Sequence, residues 1–242
     1  MANHVVVVTG AARGLGAALV ARLLDNGHAV VALTRAAQPS EPNEPKRLLR
    51  IVCDVTDRQA VEDAIGAGAA HFGPVSGLYA NAAIYPKGTV EEQGAEKAAE
   101  TFAVNVLGAA NAIRAVLPGM KERATGRIVT VGSFAGRDPL PDAWAYSASK
   151  AALSSVTRAV ANEVKGDFPD ILVNEWVPGA LNTTMGIPAG HDPQLAASWG
   201  AKLLELPPGG PSGAILIEDQ LAVAAPSLTR RVARRLRGAL RR

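Results

Sequence analysis

A single α/β domain, a doubly wound parallel sheet of seven strands with helices on both faces, is the fold this sequence predicts. Three observations carry that expectation. Short apolar runs alternate with longer segments of helical period along most of the chain. A glycine-rich turn follows the first apolar run directly. Aromatic residues make up only 4% of a chain that is 48% hydrophobic, so its core must be built from Ala, Val, Leu and Ile, which suits helices packed closely on a parallel sheet.

The elements follow in order. Residues 5–8, four valines, read as a buried strand; after the glycine turn a helix spans 15–26, with Asn26-Gly27 as its stop. Residues 29–33 form the second strand, Pro39, Pro42 and Pro45 mark a loop, and 49–53 form the third strand. Thr56-Asp57-Arg58-Gln59 fits a capping box that opens a helix to about residue 72. A fourth strand covers 77–80, one long helix 95–120, and a fifth strand 127–131. The next helix, 146–165, carries Leu153, Val156, Val160 and Val164 on one face. Residues 171–177 and 214–217 complete the strands. Strands separated by helices pair in parallel through right-handed crossovers. No linker or internal repeat divides residues 1–226, and the Pro- and Gly-rich stretch 181–213 reads as a short substrate loop.

Composition narrows the function classes. With 19% charged residues the chain buries a core rather than staying disordered. Its single cysteine, Cys53, excludes an internal disulfide and a cysteine-rich metal site; His4, His28, His71 and His191 are scattered without ligand spacing, so no metal is expected. Residues 5–8 are too short for a signal-peptide core or a membrane span, and a cytoplasmic protein is the expectation. The net charge of +3 is uneven: residues 230–242 hold seven arginines and no acid, leaving 18 basic and 22 acidic residues, a net −4, in the remainder. The basic character therefore belongs to the tail, and no nucleic-acid partner is expected. In the segment 227–242, Leu228, Val232, Leu236 and Leu240 recur every four residues between arginines. Such a basic amphipathic tail suits an anionic membrane, an acidic partner, docking on its own domain, or a frayed terminus.

Two groups of residues carry chemistry. Thr9-Gly10-Ala11-Ala12-Arg13-Gly14-Leu15-Gly16 has the spacing G-x-x-x-G-x-G at the first strand–helix turn. Glycines there let the backbone turn sharply and approach a pyrophosphate, while the helix aims its free N–H groups at the anion. The second group is Tyr146 and Lys150, four residues apart on one helical face, with Ser133 at the end of the fifth strand. The carboxyl ends of parallel strands are where ligands bind in such sheets.

Together, Thr9-Gly10-x-x-x-Gly14-x-Gly16, Val131-Gly132-Ser133 and Tyr146-Ser147-Ala148-Ser149-Lys150 resemble the short-chain dehydrogenase/reductase family, a Rossmann-type fold. Asp54-Val55, Asn81-Ala82-Ala83 (where the family usually has Asn-Ala-Gly), Asn105, and Pro178-Gly179 followed by Thr183 and Thr184 continue the likeness over residues 4–185. The resemblance implies a hydride transfer between a nicotinamide cofactor and a carbonyl or alcohol carbon of a small molecule. Tyr146 would be the general acid in reduction. Its ordinary value of roughly 10 would be lowered by the Lys150 ammonium, with help from an oxidised nicotinamide. Lys150 would also hold the nicotinamide ribose, Ser133 the substrate oxygen, and Asn105 a water linking Lys150 to solvent. Cofactor contacts are implied at Gly10, Arg13, Gly14, Leu15, Gly16, Arg35, Asp54, Val55, Asn81, Ala82, Tyr146, Lys150, Pro178, Gly179 and Thr183.

No acid lies between Ala29 and Ser40 to accept from ribose hydroxyls; Arg35 stands there instead, and Arg13 lies inside the glycine turn. Two guanidinium groups favour a 2′-phosphate, hence NADPH/NADP+ over NADH. NADPH in turn points to reduction of a ketone or aldehyde, with oxidative alcohol dehydrogenation and an idle NADPH-binding protein as the other readings. The stretch from Gly200 to Pro207 resembles the carbonyl-reductase branch, and residues 211–219 depart from the usual family ending. A homo-oligomer, dimer or tetramer, is implied. Phe134, Tyr85, Trp144, Met185 and Ile187 are candidates for the pocket wall or for packing.

Overall fold

A computed structural model describes residues 4–38 and 45–222; the tail at 227–242 lies outside the described residues. The valines of β1 (Val5–Thr9) alternate between two faces. Val5 and Val7 join one apolar cluster, Val6 and Val8 the other. All five β1 residues are buried, as a central parallel strand requires. The chain continues through α1 (Gly14–Asp25), β2 (Ala29–Thr34), β3 (Leu48–Val52), α2 (Arg58–Phe72) and β4 (Gly77–Ala80). Next come α3 (Ala95–Phe102), a π-helical segment (Ala103–Gly108), α4 (Ala109–Glu122), β5 (Gly126–Val131), a 3-10 turn (Phe134–Gly136) and α5 (Trp144–Val164). β6 (Ile171–Val177), α6 (Pro193–Ala201), a second 3-10 turn (Lys202–Glu205), β7 (Ile215–Ile217) and β8 (Gln220–Leu221) complete it.

The sheet order is β3-β2-β1-β4-β5-β6-β7-β8. Helices α2, α4 and α5 cover one face and α1 and α6 the other. The order reverses between β1 and β4, which opens a crevice at their carboxyl ends.

Four expectations need correction. The sheet has eight strands, not seven: β8 is a two-residue antiparallel strand reached from β7 by a tight turn with Glu218 at φ 56°. The long helix is interrupted by the π segment. The stretch 181–213 is not all loop, for it contains α6, whose N-cap Asp192 accepts from Gln194 N and whose first residue is Pro193. Finally, α2 is capped by Asp57, which accepts from Ala60 N, while Thr56 donates instead to Asp54.

Candidate active site

At the end of β1 the chain turns through Gly10 at φ 65° and Gly14 at φ 55°, left-handed conformations that favour glycine. The N-cap of α1, Arg13, makes no side-chain cap, and no acidic residue occupies the first turn. The positive end of the helix is thus left for an anion. Gly16 is close-packed: a Cβ there would overlap Gly10 O and lie 2.8 Å from Asn81 Nδ2. Asn81, just past β4, ties the turn down by donating from Nδ2 to Thr9 O (2.9 Å) and Gly10 O (3.2 Å). Thr9 Oγ1 accepts from Asn81 N and Ala82 N, both at 3.0 Å. The Asn81 side chain therefore shapes the cradle from behind. From the other side, Thr183 Cγ2 is 3.3 Å from where a Gly14 Cβ would stand, so the loop after β6 closes over the turn. This cradle, with its uncapped helix start, fits a dinucleotide pyrophosphate.

Asp54, after β3, accepts from Thr56 N (2.9 Å) and Thr56 Oγ1 (2.8 Å). Those bonds, together with Arg35, hold its carboxyl below the usual range. Arg35 at the end of β2 and Arg13 are both exposed, and Val55 is buried. Leu15 is buried under α1 and Pro178 after β6; Gly179 turns the chain at φ 84°.

Tyr146 and Lys150 share a face of α5, with the Lys150 Nζ 5.7 Å from the Tyr146 ring centroid. Lys150 is 3% exposed and donates to Val131 O at 2.8 Å. Burial drives its value down to about 8, against a partial lift from Glu175. Tyr146 differs from expectation. In the polypeptide by itself burial raises its phenol, a hydrogen bond with Ser133 opposes that, and Tyr85 adds to the rise. The Tyr85 ring packs on it at 4.5 Å between centroids. Ser133 caps the 3-10 turn by accepting from Ala135 N at 3.2 Å, which fixes its hydroxyl at the end of β5.

Asn105 lies 1% exposed within the π segment, and its side chain bonds on two sides. Its Oδ1 accepts from Ile84 N (2.8 Å), and its Nδ2 donates to Ile84 O (3.0 Å) and Ser149 Oγ (3.0 Å). Ser149 in turn donates to Tyr146 O at 2.7 Å. The amide thus braces α5 and the strand-end loop that carries Tyr85. Ser149 belongs to the Tyr146–Lys150 motif and Tyr85 to the pocket candidates, but these bracing and stacking contacts are visible only in three dimensions. Of the pocket candidates, Phe134 (46%), Met185 (36%) and Ile187 (51%) remain exposed rather than packing into the core. Tyr85 and Trp144 are half-buried. Among the described residues, no three His, Cys, Asp or Glu side chains gather as a metal site.

A parallel sheet with a phosphate cradle at its order reversal and a Ser–Tyr–Lys group beside it defines a nucleotide-dependent oxidoreductase class. A family model of short chain dehydrogenases matches residues 4–194, and the chain belongs to that family. It is 32% identical over 180 residues to the 3-oxoacyl-[acyl-carrier-protein] reductase MabA of Mycobacterium bovis, covering 74% of this chain and 70% of that one. It is 34% identical over 193 residues to the 2-(R)-hydroxypropyl-CoM dehydrogenase of Xanthobacter autotrophicus, covering 76% of each. A solved 3-ketoacyl-(acyl-carrier-protein) reductase from Brucella melitensis, complexed with NADH, superposes with a TM-score of 0.82 at 26% identity, covering 88% of this chain and 96% of that one. These relatives support a redox reaction between a carbonyl and an alcohol.

Proposed function

We propose that this protein is an NADPH-dependent reductase of ketones or aldehydes, of the carbonyl-reductase type, with Tyr146 as proton donor. One observation carries the reading: Tyr146, whose phenol Ser133 influences, sits on one face of α5 with a buried Lys150, at the strand ends that the glycine cradle adjoins. The bound nicotinamide supplies the hydride. The Tyr146 hydroxyl donates to the carbonyl oxygen as that oxygen gains charge, and Ser133 holds the same oxygen. A phenol raised by burial is fully protonated at neutral pH, which suits a donor. Lys150 orients the cofactor ribose and stabilises the tyrosinate left behind.

NADPH is preferred on this reading because Arg13 and Arg35 are exposed at the adenosine end with no acid beside Arg35 on β2. Arg35→Asp is expected to turn the kcat/KM preference toward NADH by about tenfold or more, the scale of losing one charge-assisted contact. An unchanged preference would show that Arg35 does not read the 2′-phosphate. EDTA is expected to leave turnover unaltered, and loss restored by zinc or magnesium would contradict the metal-free route.

The decisive assay follows NADPH absorbance, with NADH in parallel, against aldehydes, ketones, diketones, quinones and 3-oxoacyl thioesters. The last class enters because of the two reductase relatives. Turnover on a carbonyl supports the proposal; tight NADPH binding without turnover on any would favour an idle binding protein. The hydroxypropyl-CoM dehydrogenase relative favours a second reading, oxidation of an alcohol, which the reverse assay with NADP+ tests. The reading also includes a cytoplasmic location and a homo-oligomer. Sedimentation would measure its mass.

A further inference from the structure

The site contains an acidic side chain that none of these roles uses. Glu175, on β6, is 3% exposed, and its Oε2 is buried without a hydrogen-bond partner. Its backbone pairs with Thr130 of β5 and Ile215 of β7, so it lies inside the sheet and not at an edge. Within β6 it shares a face with Ile171 and Val173, which pack in the cluster that contains α5 residues Ala161 and Val164. A solitary carboxylate in such a place is costly unless an opposite charge answers it.

The geometry supplies that charge. Gly132 makes room for the carboxylate: a Cβ at Gly132 would overlap Glu175 Oε1 and lie 2.8 Å from Glu175 Cδ. The peptide joining Val131 to Gly132 is held at both ends. Its N–H donates to Trp176 O at 2.7 Å, and its C=O accepts from Lys150 Nζ at 2.8 Å. Glu175 and Lys150 thus approach one peptide unit, the carboxyl group at Gly132 and the ammonium at the Val131 carbonyl.

We propose that Glu175 is the resident counter-charge of Lys150, a positioning residue that keeps the ammonium charged and seated on the Val131 carbonyl.

The competing groups are few. Tyr146 lies one turn before Lys150 on α5, and Tyr85 packs on Tyr146. β5 brings the Val131 carbonyl and Gly132, the π segment brings the Asn105 amide, and β7 brings Ile215. Glu218, after β7, is paired with His191 at 3.1 Å. Burial alone pulls Lys150 down, and Glu175 is the charge that lifts it. The sign follows. Without Glu175 the ammonium loses its proton at lower pH, so Lys150 becomes neutral where the cofactor has to be held.

The inference rests on Lys150 as the cofactor-side cation, so its test has a readout independent of turnover. In full-length protein labelled at lysine Cε, the Lys150 resonance is assigned by its absence in Lys150→Arg and titrated by NMR. In Glu175→Gln the midpoint is expected to fall by about one pH unit, the lower end of what an opposite charge at this range supplies. Glu175→Asp is expected to restore part of the shift. NADPH affinity, followed by fluorescence, is expected to weaken by about fivefold at pH 8, with the deficit shrinking toward pH 6, as a drop from about 8 to about 7 requires. A folded Glu175→Gln with an unmoved Lys150 midpoint overturns the proposal. If Glu175→Gln does not fold, the labelled carboxyl of Glu175 in wild-type protein decides. The ionised form at pH 7 upholds the counter-charge, and the neutral acid overturns it. A shifted Lys150 midpoint with unaltered NADPH affinity upholds the counter-charge but removes Lys150 from cofactor binding.

Discussion

Tyr146→Phe is expected to lower turnover by about 10²–10⁴-fold while cofactor affinity stays within about twofold. The substitution removes one hydroxyl and little else. The ring keeps its contact with Tyr85, and α5 keeps the Ser149 bond to the residue 146 carbonyl, because that bond uses the backbone. Lys150 keeps its seat on Val131 O. What is lost is the proton that must reach the substrate oxygen, together with the partner of Ser133. Single-turnover measurement of cofactor oxidation, alongside fluorescence titration of NADPH, separates the chemical step from binding. Undiminished turnover would remove Tyr146 from the mechanism. A parallel collapse of cofactor affinity would make its role structural.

Gly16→Ala is expected to have the largest effect outside the catalytic group. The added methyl would collide with the carbonyl of Gly10 and press on the amide of Asn81, so the phosphate turn and its tie to β4 cannot both survive. Overpacking of this kind costs about 1–3 kcal/mol, a fall in Tm on the order of 5 °C for a chain of this size. Displacing the turn also misaims the first N–H groups of α1, and a tenfold loss of cofactor affinity corresponds to about 1.4 kcal/mol. Gly66→Ala on α2 is the matched control, because a Cβ there meets nothing within 4 Å. That change is expected to be neutral or to stabilise by about 0.5–1 kcal/mol. If both variants gave the same Tm and the same NADPH affinity, the close packing at Gly16 would have no functional weight.

Much of this was legible because it is written locally. The glycine turn, Ser133, Tyr146 and Lys150 are spacing signals, and β4 and β6 begin and end where the sequence places them, at 77–80 and 171–177. What escaped depends on less local matters. The π segment is only six residues, too short to impose a period of its own on the flanking helical pattern, so residues 95–120 read as one helix. Helix α6 was hidden by the prolines and glycines around it, although Asp192-Pro193 is a sound helix start. β8 has only two residues, both exposed, and therefore no buried run to betray it. Asp57 won the cap over Thr56 because Asp54 had already engaged Thr56. The two-sided grip of Asn105 on Ile84 is a contact across 21 residues that no spacing rule encodes. Glu175 lies in the middle of a strand, and only the bare Cα of Gly132 beside it reveals why an acid fits there.

The π segment at Ala103–Gly108 also acts as a phase shifter. An α-helix rotates about 100° per residue, so one residue more or fewer turns everything beyond it by roughly that angle. Here the wider turn lets Asn105 face the strand-end loop while Ala109, Ala112, Ile113 and Val116 of α4 still face the sheet. Deleting a single residue between 103 and 108 would leave the chain helical and its composition nearly the same. It would nonetheless set the two halves out of step, and either the grip on Ile84 or the seating of α4 would be lost. The length of that segment is as much a part of the site as any side chain in it.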